Sequence, residues 1–550
     1  MTDKKLRGAD IVARTLELAG TTMVFTLSGN HIMSLFDAAI GTKLDLVHVR
    51  QEAAAVHMAD AWGRLTGTPG VAMVTGGPGH ANAVPALYTA LSQDSPVVLL
   101  SGCHATWETG RGGFQELAQA EMAAPVSKAS WTATTAAGLS QDVARAFRLA
   151  SSGRPGPVHL SLPSDLLDAE VNGGEIIWAT PADFIAPPQN LADTAADAAL
   201  TILRDSARPL LIAGPQLATR AGRALLARIE AELSLPTCIM ESPRGLADAT
   251  WGALGDLVMR ADLIVLLGKK LDFTLKFGTP VDSTCRFVVL DPEAETLTRA
   301  QREVGARLAF AAIADVHPAG EALLRRASGV GSPAWLAEAR GYLHGRPVAW
   351  ANLQSATAGK LHAIEVAKAL KPFIDADPDT ILICDGGEYA QWAQSLITCQ
   401  RRVVNGVAGA IGASLPFAGA ARMVERQAPI FAVLGDGTFG FHMAEFETAV
   451  RRGLPFVAVV GNDARWNAEH NIQLRDYGAQ RAHGCELLPA RYDLVVTALG
   501  GHGELVEHAA DLPAALACAV ASGKPACVNV MIEPIGAPIV RRKTGSDQNG

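Results

Sequence analysis

The sequence predicts an α/β fold of three doubly wound parallel-sheet domains, and three observations support this prediction. Short apolar runs alternate with alanine-rich helical patterns along the whole chain. These runs are continuous rather than alternating with polar residues, which is typical of parallel strands covered by helices on both faces. Two stretches rich in glycine, proline, alanine or polar residues, at about 173–190 and 345–360, interrupt the rhythm, which restarts after each.

The two interruptions predict the domain boundaries. We expect domains at 1–180, 190–345 and 360–535, followed by a C-terminal tail at 536–550. The apolar runs that we interpret as strands are, in chain order, TTMVFTL, GVAMVTG, PVVLLSG, PVHLSLP, RPLLIAG, LIVLLG, FVVLD, TILICDG, IFAVLGDG, FVAVVGND and ACVNVMIE.

Composition narrows the class of protein. The 550 residues are 49% hydrophobic and 19% charged, with a formal net charge of -8, as expected for a globular protein with large cores. No long Lys/Arg run is present, so nucleic acid is not an expected partner. No apolar run is long enough to span a membrane. The eight cysteines lack CxxC pairing, and the N-terminus reads as an amphipathic helix, which together predict a cytoplasmic protein with reduced thiols.

The ends of the predicted strands are where chemistry is expected, because ligands of open parallel sheets bind at the carboxyl ends of strands. In the first domain these ends carry SGNHI, VRQEAA and TGGPGHAN, and in the third CDGGEY, GDGTFG and GNDARWN. The corresponding ends in the second domain, IAGPQL and LLGKKLDF, are poorer in catalytic groups. We therefore expect the chemistry in the first and third domains.

Two familiar nucleotide motifs do not explain these turns. The glycine-rich turns TGGPGHAN and NGVAGAIGAS lack the GxGxxG spacing of dinucleotide-binding folds, so a dehydrogenase is not predicted. No GxxxxGK[ST] phosphate loop occurs in the sequence.

A metal–diphosphate site explains the acidic turns of the third domain better. Asp436 follows a predicted strand and lies between Gly435 and Gly437, where the backbone can approach a ligand closely. A helical pattern begins there, and helix N-termini attract phosphate. Asp463 ends the next strand, so the two carboxylates would converge if the strands are neighbours, as Mg²⁺ with a diphosphate requires. Two ordinary turns, in which the acidic side chains cap the following segments, would explain the same residues.

A family resemblance favours the metal site. The segment GDGTFGFHMAEFETAVRRGLPFVAVVGND resembles the thiamine diphosphate motif, in which GDG is followed one strand–helix unit later by Asn-Asn. The resemblance extends over the chain to the acetolactate synthase, benzaldehyde lyase and oxalyl-CoA decarboxylase group. It implies a pyrimidine-binding, a central Rossmann-like and a diphosphate-binding domain, in that order. Asp463 stands where the motif has its second Asn, a change that still offers a metal ligand.

The resemblance implies a set of cofactor and metal residues. Mg²⁺ would be held by Asp436, Asp463 and the backbone carbonyl of Arg465. Ile411 would replace the bulky residue that holds the cofactor bent. The residues implied to contact thiamine diphosphate are Gly387, Glu388, Gly409, Ile411, Gly435, Gly437, Thr438, Asn462 and Trp466.

The resemblance also implies the catalytic residues. Glu52, in VRQEAA, would hold a proton at the pyrimidine ring of a cofactor bound mainly by another subunit, so the protein would be a homodimer at minimum and a homotetramer by family. His31 and Gln115 match residues on the substrate side. Glu486 is a candidate proton shuttle. Without the resemblance, Glu52 reads as a helix N-terminal charge, His31 as a structural histidine and Glu486 as a surface residue.

Two further segments favour a 2-hydroxyacyl-CoA lyase, also able to act as a carboligase. RADLIVLLGKKLDFTLKFG and GCELLPARYDLVVTALGGHGELV resemble segments of that enzyme group. ADP or CoA is then a candidate ligand of the central domain, and FAD is not expected. Arg541, Arg542 and Lys543 of the tail would meet CoA phosphates if the tail closes over the site, or the tail is simply solvated. An acetolactate-synthase-like transferase, a benzaldehyde-lyase-like enzyme and a non-catalytic protein of this fold remain alternatives.

Overall fold

The structure, a computed structural model, describes residues 5–327 and 330–542. The chain forms two compact units, residues 1–188 with 419–424, and residues 189–418 with 425–550. Three parallel sheets are present, one in the first unit and two in the second, which confirms the predicted fold class. The domain boundaries remain predictions, since compactness groups the central and C-terminal sheets together.

The sheet of the first unit has six parallel strands in the order β3-β2-β4-β5-β7-β6, and β1 pairs antiparallel with β8. The strand order reverses between β2 and β4, which places a ligand crevice outside their carboxyl ends. The elements are β1 (Lys5–Arg7), α1 (Gly8–Leu18), β2 (Met23–Leu27), α2 (Met33–Ala38), β3 (Asp45–His48), α3 (Glu52–Thr66), β4 (Gly70–Val74), α4 (Pro78–Ser92), β5 (Val97–Cys103), α5 (Gln119–Ala123), β6 (Ala129–Thr132), α6 (Leu139–Ser151), β7 (Pro157–Pro163), α7 (Ser164–Asp168) and β8 (Glu170–Asn172).

The central sheet of the second unit has five parallel strands in the order β10-β9-β11-β12-β13. Its order reverses between β9 and β11. The elements are α8 (Asp193–Arg204), β9 (Pro209–Ala213), α9 (Arg220–Leu233), β10 (Thr237–Ile239), α10 (Leu254–Val258), β11 (Leu263–Leu267), β12 (Arg286–Asp291), α11 (Ala294–Val304), β13 (Leu308–Ile313), α12 (Val316–Arg326) and α13 (Pro333–His344).

The C-terminal sheet of the second unit has six parallel strands in the order β15-β14-β16-β17-β19-β18, with the reversal between β14 and β16. The pattern after GDG, predicted as one helix, forms two, α17 and α18. The elements are α14 (Ala363–Asp375), β14 (Ile381–Asp385), α15 (Gly387–Leu396), β15 (Arg401–Val404), α16 (Ser414–Val424), β16 (Ile430–Gly435), α17 (Asp436–His442), α18 (Glu445–Arg452), β17 (Val457–Asn462), α19 (Asn467–Tyr477), α20 (Tyr492–Ala498), β18 (His502–Val506), α21 (Leu512–Ala521) and β19 (Ala526–Met531).

Burial explains why the strands are continuous apolar runs. Every residue of β4, β5, β7, β9, β11 and β14 is buried, because helices cover both faces of each sheet. In the described ranges, no helix combines the length and apolarity that a membrane span requires.

A buried ion cluster joins the two sheets of the second unit. Arg402 of β15 donates from Nη2 to Glu241 Oε1 at 2.6 Å, and Arg223 of α9 donates to the same oxygen at 3.1 Å. Glu241 is 2% exposed. Burial raises the pKa of Glu241, but the charges of Arg402 and Arg223 outweigh burial and hold that pKa below its usual value. The carboxylate therefore neutralises two guanidinium groups that lie away from water.

We expect Glu241→Gln to destabilise the second unit by about 3 kcal/mol, because it leaves two guanidinium groups without their shared counter-ion. Glu232→Gln, which alters an exposed pair with Arg228, is the matched control and should change stability by about 0.5 kcal/mol or less. Urea unfolding followed by circular dichroism measures both. Equal midpoints for the two variants would contradict the prediction.

Candidate functional site

A cavity of about 210 Å³ opens at the carboxyl ends of β14, β16 and β17, where the strand order of the C-terminal sheet reverses. Its lining contains every predicted cofactor and metal residue except Asn462. Those residues are Gly387, Glu388, Gly409, Ile411, Gly435, Asp436, Gly437, Thr438, Asp463, Arg465 and Trp466. The structure therefore brings together residues from four separate segments of the sequence.

Two buried carboxylates face this cavity. Asp436 is the first residue of α17 and is 3% exposed. Asp463 follows the neighbouring strand β17, and its Oδ1 accepts the N–H of Arg465 at 3.2 Å. Burial raises the pKa of Asp436 to about 6. Burial and the charge of Asp436 raise the pKa of Asp463 to about 7. The two groups therefore repel each other, and a cation between them would remove the repulsion.

The donor set fits magnesium. Oδ2 of Asp436 is buried and has no hydrogen-bond partner in the described part of the chain. Buried polar atoms without partners are rare, so this oxygen is available to a ligand. Among residues 5–327 and 330–542, no cluster of three or more His, Cys, Asp or Glu side chains could hold a metal. A metal here needs backbone and ligand oxygens in addition to the two carboxylates, which is typical of Mg²⁺ with a diphosphate.

Bare backbone surrounds the carboxylates. A Cβ placed on Gly435 would meet no atom within 4 Å, and one on Gly387 would meet only Ala468, at 3.6 Å. Gly386, at φ +80°, lies so close to Thr438 that a Cβ would be 2.3 Å from its hydroxyl oxygen. Helix α15 begins at Gly387, and no side chain of the described residues caps its N-terminus, where the first N–H groups of a helix lack intrahelical partners. This turn can therefore receive a phosphate at close range.

Two residues that the sequence analysis missed hold the segment that carries Ile411. Oδ2 of Asp385 accepts the N–H groups of Gly412 and Ser414, each at 3.0 Å. His442 donates from Nδ1 to the carbonyl of Gly412 at 2.7 Å. Burial raises the pKa of Asp385 to about 6 and lowers the pKa of His442. The acidic residue of the strand-end segment CDGG could have identified Asp385 from the sequence, whereas no sequence feature indicated His442.

Asn462 and Glu388 have structural partners of their own. Asn462 is fully buried, and its Nδ2 donates to the Ala490 carbonyl and to Asn529 Oδ1 at 3.0 and 3.1 Å. Its side chain therefore lies outside the cavity lining and fixes the end of β17. Glu388 lines the cavity and pairs with Arg244 at 3.1 Å, and it also accepts the N–H of Ala537.

In the first unit, Glu52 is the first residue of α3 and is 8% exposed. Its Oε2 accepts a hydrogen bond from Asn82 Nδ2 at 3.1 Å. A Cβ on Gly79 would lie 3.4 Å from Oε1, so the glycine leaves room beside this carboxylate. Asn82 belongs to the quoted turn TGGPGHAN but was not identified as a site residue.

His31 and Gln115 reach the same turn of the first unit. His31 follows β2 and is 5% exposed, with Nδ1 3.3 Å from Thr75 Oγ1 and its ring stacked on Phe114. Burial lowers the pKa of His31, so the imidazole is neutral at pH 7. Gln115 has a positive φ of 58°, and a Cβ on Gly77 would be 2.6 Å from its Cβ. Both side chains therefore lie at the turn that follows β4.

A second glutamine, Gln119, was also missed. Its Oε1 accepts the N–H of Gly77 at 2.8 Å, and its Nε2 donates to the Gly102 carbonyl and to Ser161 Oγ at 3.2 and 3.1 Å. Gln119 thus ties the turn after β4 to β5 and β7 and fixes its position.

The remaining candidates lie at the surface or in the tail. Glu486 is exposed, outside the cavity lining, and forms an isolated β-bridge with Arg465. Arg541 Nη1 lies 3.2 Å from Asp256, and the Arg542 guanidinium lies over the ring of Tyr342 at 4.3 Å. Lys543 is outside the described residues.

The GxGxxG spacing does occur, at 435–440 in GDGTFG, between β16 and α17. It follows the third strand of its sheet in chain order rather than the first, and its second residue is the buried Asp436. The spacing therefore belongs to the carboxylate site and gives no support for a dinucleotide.

Comparison with known proteins agrees with this geometry. Residues 6–122 match the thiamine pyrophosphate enzyme N-terminal TPP-binding domain, and residues 385–530 match the C-terminal TPP-binding domain. The chain is 31% identical over 535 residues to a probable acetolactate synthase of Mycobacterium bovis, covering 95% of each protein. It is 28% identical over 551 residues to human 2-hydroxyacyl-CoA lyase 2, covering 91% of this chain and 85% of the relative.

Two glycine variants test whether the cavity holds the diphosphate. Gly435→Ala should leave stability within about 0.5 kcal/mol of the wild type, because its methyl enters open space, but should weaken thiamine diphosphate binding. Gly437→Ala should also destabilise the protein, because its Cβ would lie 2.6 Å from the ring of Trp466. Thermal unfolding and calorimetric titration measure the two effects. Full cofactor affinity in Gly435→Ala would contradict this assignment.

Asp463→Asn should retain thiamine diphosphate binding with Mg²⁺. The amide keeps an oxygen that is able to bind a metal, and the change removes a charge that Asp436 repels. Asp463→Leu, which has no ligand atom, should lose Mg²⁺-dependent binding. Calorimetric titration compares cofactor binding in the two variants. A complete loss of thiamine diphosphate binding in Asp463→Asn would show that the metal-ligand role is wrongly assigned to this position.

Proposed function

Because the chain belongs to the thiamine pyrophosphate enzyme family, we propose that it is a thiamine diphosphate- and Mg²⁺-dependent carbon–carbon lyase. Its proposed reaction cleaves a 2-hydroxyacyl-CoA to an aldehyde or ketone and formyl-CoA, and the reverse reaction is an acyloin-type carboligation. The observation that carries the lyase assignment is His31, a buried neutral imidazole beside Thr75 at the strand-order reversal of the first sheet. The similarity to 2-hydroxyacyl-CoA lyase 2 supports it.

The cofactor would be held by the cavity of the C-terminal sheet. Asp436, Asp463 and the carbonyl of Arg465 would hold Mg²⁺, and the bare backbone at Gly387 and Gly435 would receive the diphosphate. Ile411 would support the bent cofactor from a segment fixed by hydrogen bonds to Asp385. When bound, thiamine diphosphate supplies a nucleophilic carbon that adds to a carbonyl and accepts the electron pair of the breaking C–C bond.

Proton transfer is the task of the residues in the first unit. Glu52 would hold a proton at the pyrimidine ring nitrogen. The hydrogen bond that Asn82 donates to the Glu52 carboxylate would orient it for this contact. The neutral His31 would accept the proton of the substrate hydroxyl as the C–C bond breaks. The carbon that becomes the formyl group would then take up a proton, which releases formyl-CoA. Gln115, at the same turn, would contact the substrate. Glu486, exposed beside Arg465, would help to move the proton of the substrate hydroxyl.

The proposed assembly rests on the family resemblance. We propose a homodimer at minimum, and a homotetramer by family resemblance, in which Glu52 of one subunit serves a cofactor held mainly by another.

Glu52→Gln should abolish turnover while thiamine diphosphate still binds, because the amide fills the same space but cannot hold and release the proton. Turnover with a substrate of the panel below and calorimetric cofactor binding measure the two properties. Unchanged turnover would refute the role of Glu52.

Mixed oligomers sharpen this test. Glu52→Gln and Asp436→Ala subunits, each inactive alone, should regain part of the activity when unfolded and refolded together, because one site of a mixed dimer receives neither change. Subunits that carry both changes are the control. If the mixture stays inactive, while wild-type protein recovers under the same conditions, Glu52 does not act across subunits.

An acetolactate-synthase-like transferase is the second candidate, favoured by the 31% identity to a probable acetolactate synthase. The discriminating experiment is a panel of pyruvate, benzoin, oxalyl-CoA and 2-hydroxyisobutyryl-CoA, each with thiamine diphosphate and Mg²⁺. We expect cleavage of 2-hydroxyisobutyryl-CoA to acetone and formyl-CoA, and no consumption of pyruvate. Consumption of pyruvate alone, especially with a flavin absorbance in the purified protein, would establish the transferase instead. Cleavage of benzoin alone would establish a benzaldehyde-lyase-like enzyme.

A further inference from the structure

A second cavity, of about 360 Å³, lies within the second unit between the central and C-terminal sheets. Its walls come from α9, the edge strand β10, the end of α13 and the segment that follows α15. None of its lining residues lines the cofactor cavity. The proposed function gives it no role.

Three guanidinium groups converge on this cavity. Arg346 donates from Nη2 to the Thr250 carbonyl at 2.8 Å, and Arg402 donates from Nη1 to the Thr250 hydroxyl at 3.4 Å. Arg402 and Arg223 share one oxygen of Glu241. All three arginines, and Thr250, line the cavity. Thr250 and Glu241 thus hold three cations side by side at one wall.

The positive charge of this wall is incompletely neutralised. In the described part of the chain, every hydrogen-bond acceptor of Arg346 is a backbone carbonyl, those of Ser395, Leu343, Gly345 and Thr250. Nε of Arg402, a residue 7% exposed, has no hydrogen-bond partner in the same ranges. The charges of two buried carboxylates, Glu241 and Asp248, act on these three guanidinium groups.

The other lining groups add little charge. Glu230 lines the cavity but pairs with Arg340 at 2.7 Å. Burial lowers the pKa of His344, so its ring is neutral at pH 7. Excess positive charge in a partly enclosed cavity favours an anion.

Other residues of the lining are apolar. Leu226, Ile239, Trp251 and Ile397 contribute hydrocarbon and aromatic surface. The cavity volume is at the lower end of the range of small-molecule sites, roughly 300–1,000 Å³. We propose that this cavity is a second binding site, which takes a small monocarboxylate with an apolar tail. The carboxylate contacts Arg346 and Arg402, whose planar donors suit it, and the tail lies against Trp251.

Calorimetric titration of the thiamine diphosphate-loaded protein with hexanoate tests the proposal. Hexanoate should bind saturably, whereas hexanamide, with the same tail and no charge, should bind about tenfold more weakly. Acetate, which has the charge and lacks the tail, should also bind more weakly. No saturable binding of hexanoate, or equal binding of hexanamide, would overturn the proposal.

Variants locate the site. Ala227 is exposed on α9 and lines the cavity, so Ala227→Trp should fill it and abolish hexanoate binding. Ala224→Trp, exposed on the same helix outside the lining, is the matched control and should bind normally. An unchanged dissociation constant in Ala227→Trp would place hexanoate elsewhere and overturn the assignment.

Charge variants should shift affinity in opposite directions. Arg346→Gln removes a cation and should weaken hexanoate binding, whereas Glu230→Gln removes a lining carboxylate and should tighten it by about threefold. If Arg346→Gln does not fold, Glu230→Gln and Ala227→Trp decide the question. Weaker binding in Glu230→Gln would contradict an anion at this wall.

Discussion

Two carboxylates held out of water at the ends of adjacent strands impose the main constraint on this protein. Asp436 and Asp463 are buried at one cavity, and burial together with the charge of Asp436 raises the pKa of Asp463 to about 7. A fold that places two acidic groups together gains stability when a cation neutralises them. Within the described residues, Oδ2 of Asp436 has no hydrogen-bond partner and the backbone at Gly435 is open, as the proposed magnesium–diphosphate site requires. We interpret this end of the C-terminal sheet as a site whose two repelling carboxylates are neutralised when the metal and cofactor bind.

Hydrogen bonds from buried side chains to backbone groups hold both candidate site regions in place. Asp385 and His442 fix the segment that carries Ile411, and Gln119 fixes the turn beside His31 and Gln115. None of these three supporting residues was identified from the sequence. They act through backbone groups of turns, which explains how flexible glycine-rich loops can present a defined surface to a ligand.

Much of the fold was accessible from the sequence because parallel strands leave a strong pattern. Continuous apolar runs such as ILICD and LIVLL are fully buried strands, and the strand-end rule led to Asp436 and Asp463, whereas Glu52 and His31 were assigned through the family resemblance. Side-chain direction was not accessible. Asn462 lies in the same motif as Asp463 but turns to Ala490 and Asn529, because alternate residues of a strand point to opposite faces. The Arg402–Glu241 pair joins residues far apart in the chain, so no local pattern could reveal it.

The most direct test of the account is the dependence of cofactor binding on magnesium. Thiamine diphosphate is titrated calorimetrically into metal-free wild-type protein, with and without Mg²⁺, in parallel with Asp436→Ala. The account predicts tight binding only in wild-type protein with Mg²⁺, and at least about tenfold weaker binding in the other cases. Equal affinity with and without the metal, or full affinity in Asp436→Ala, would show that the two buried carboxylates do not hold the cofactor through a cation.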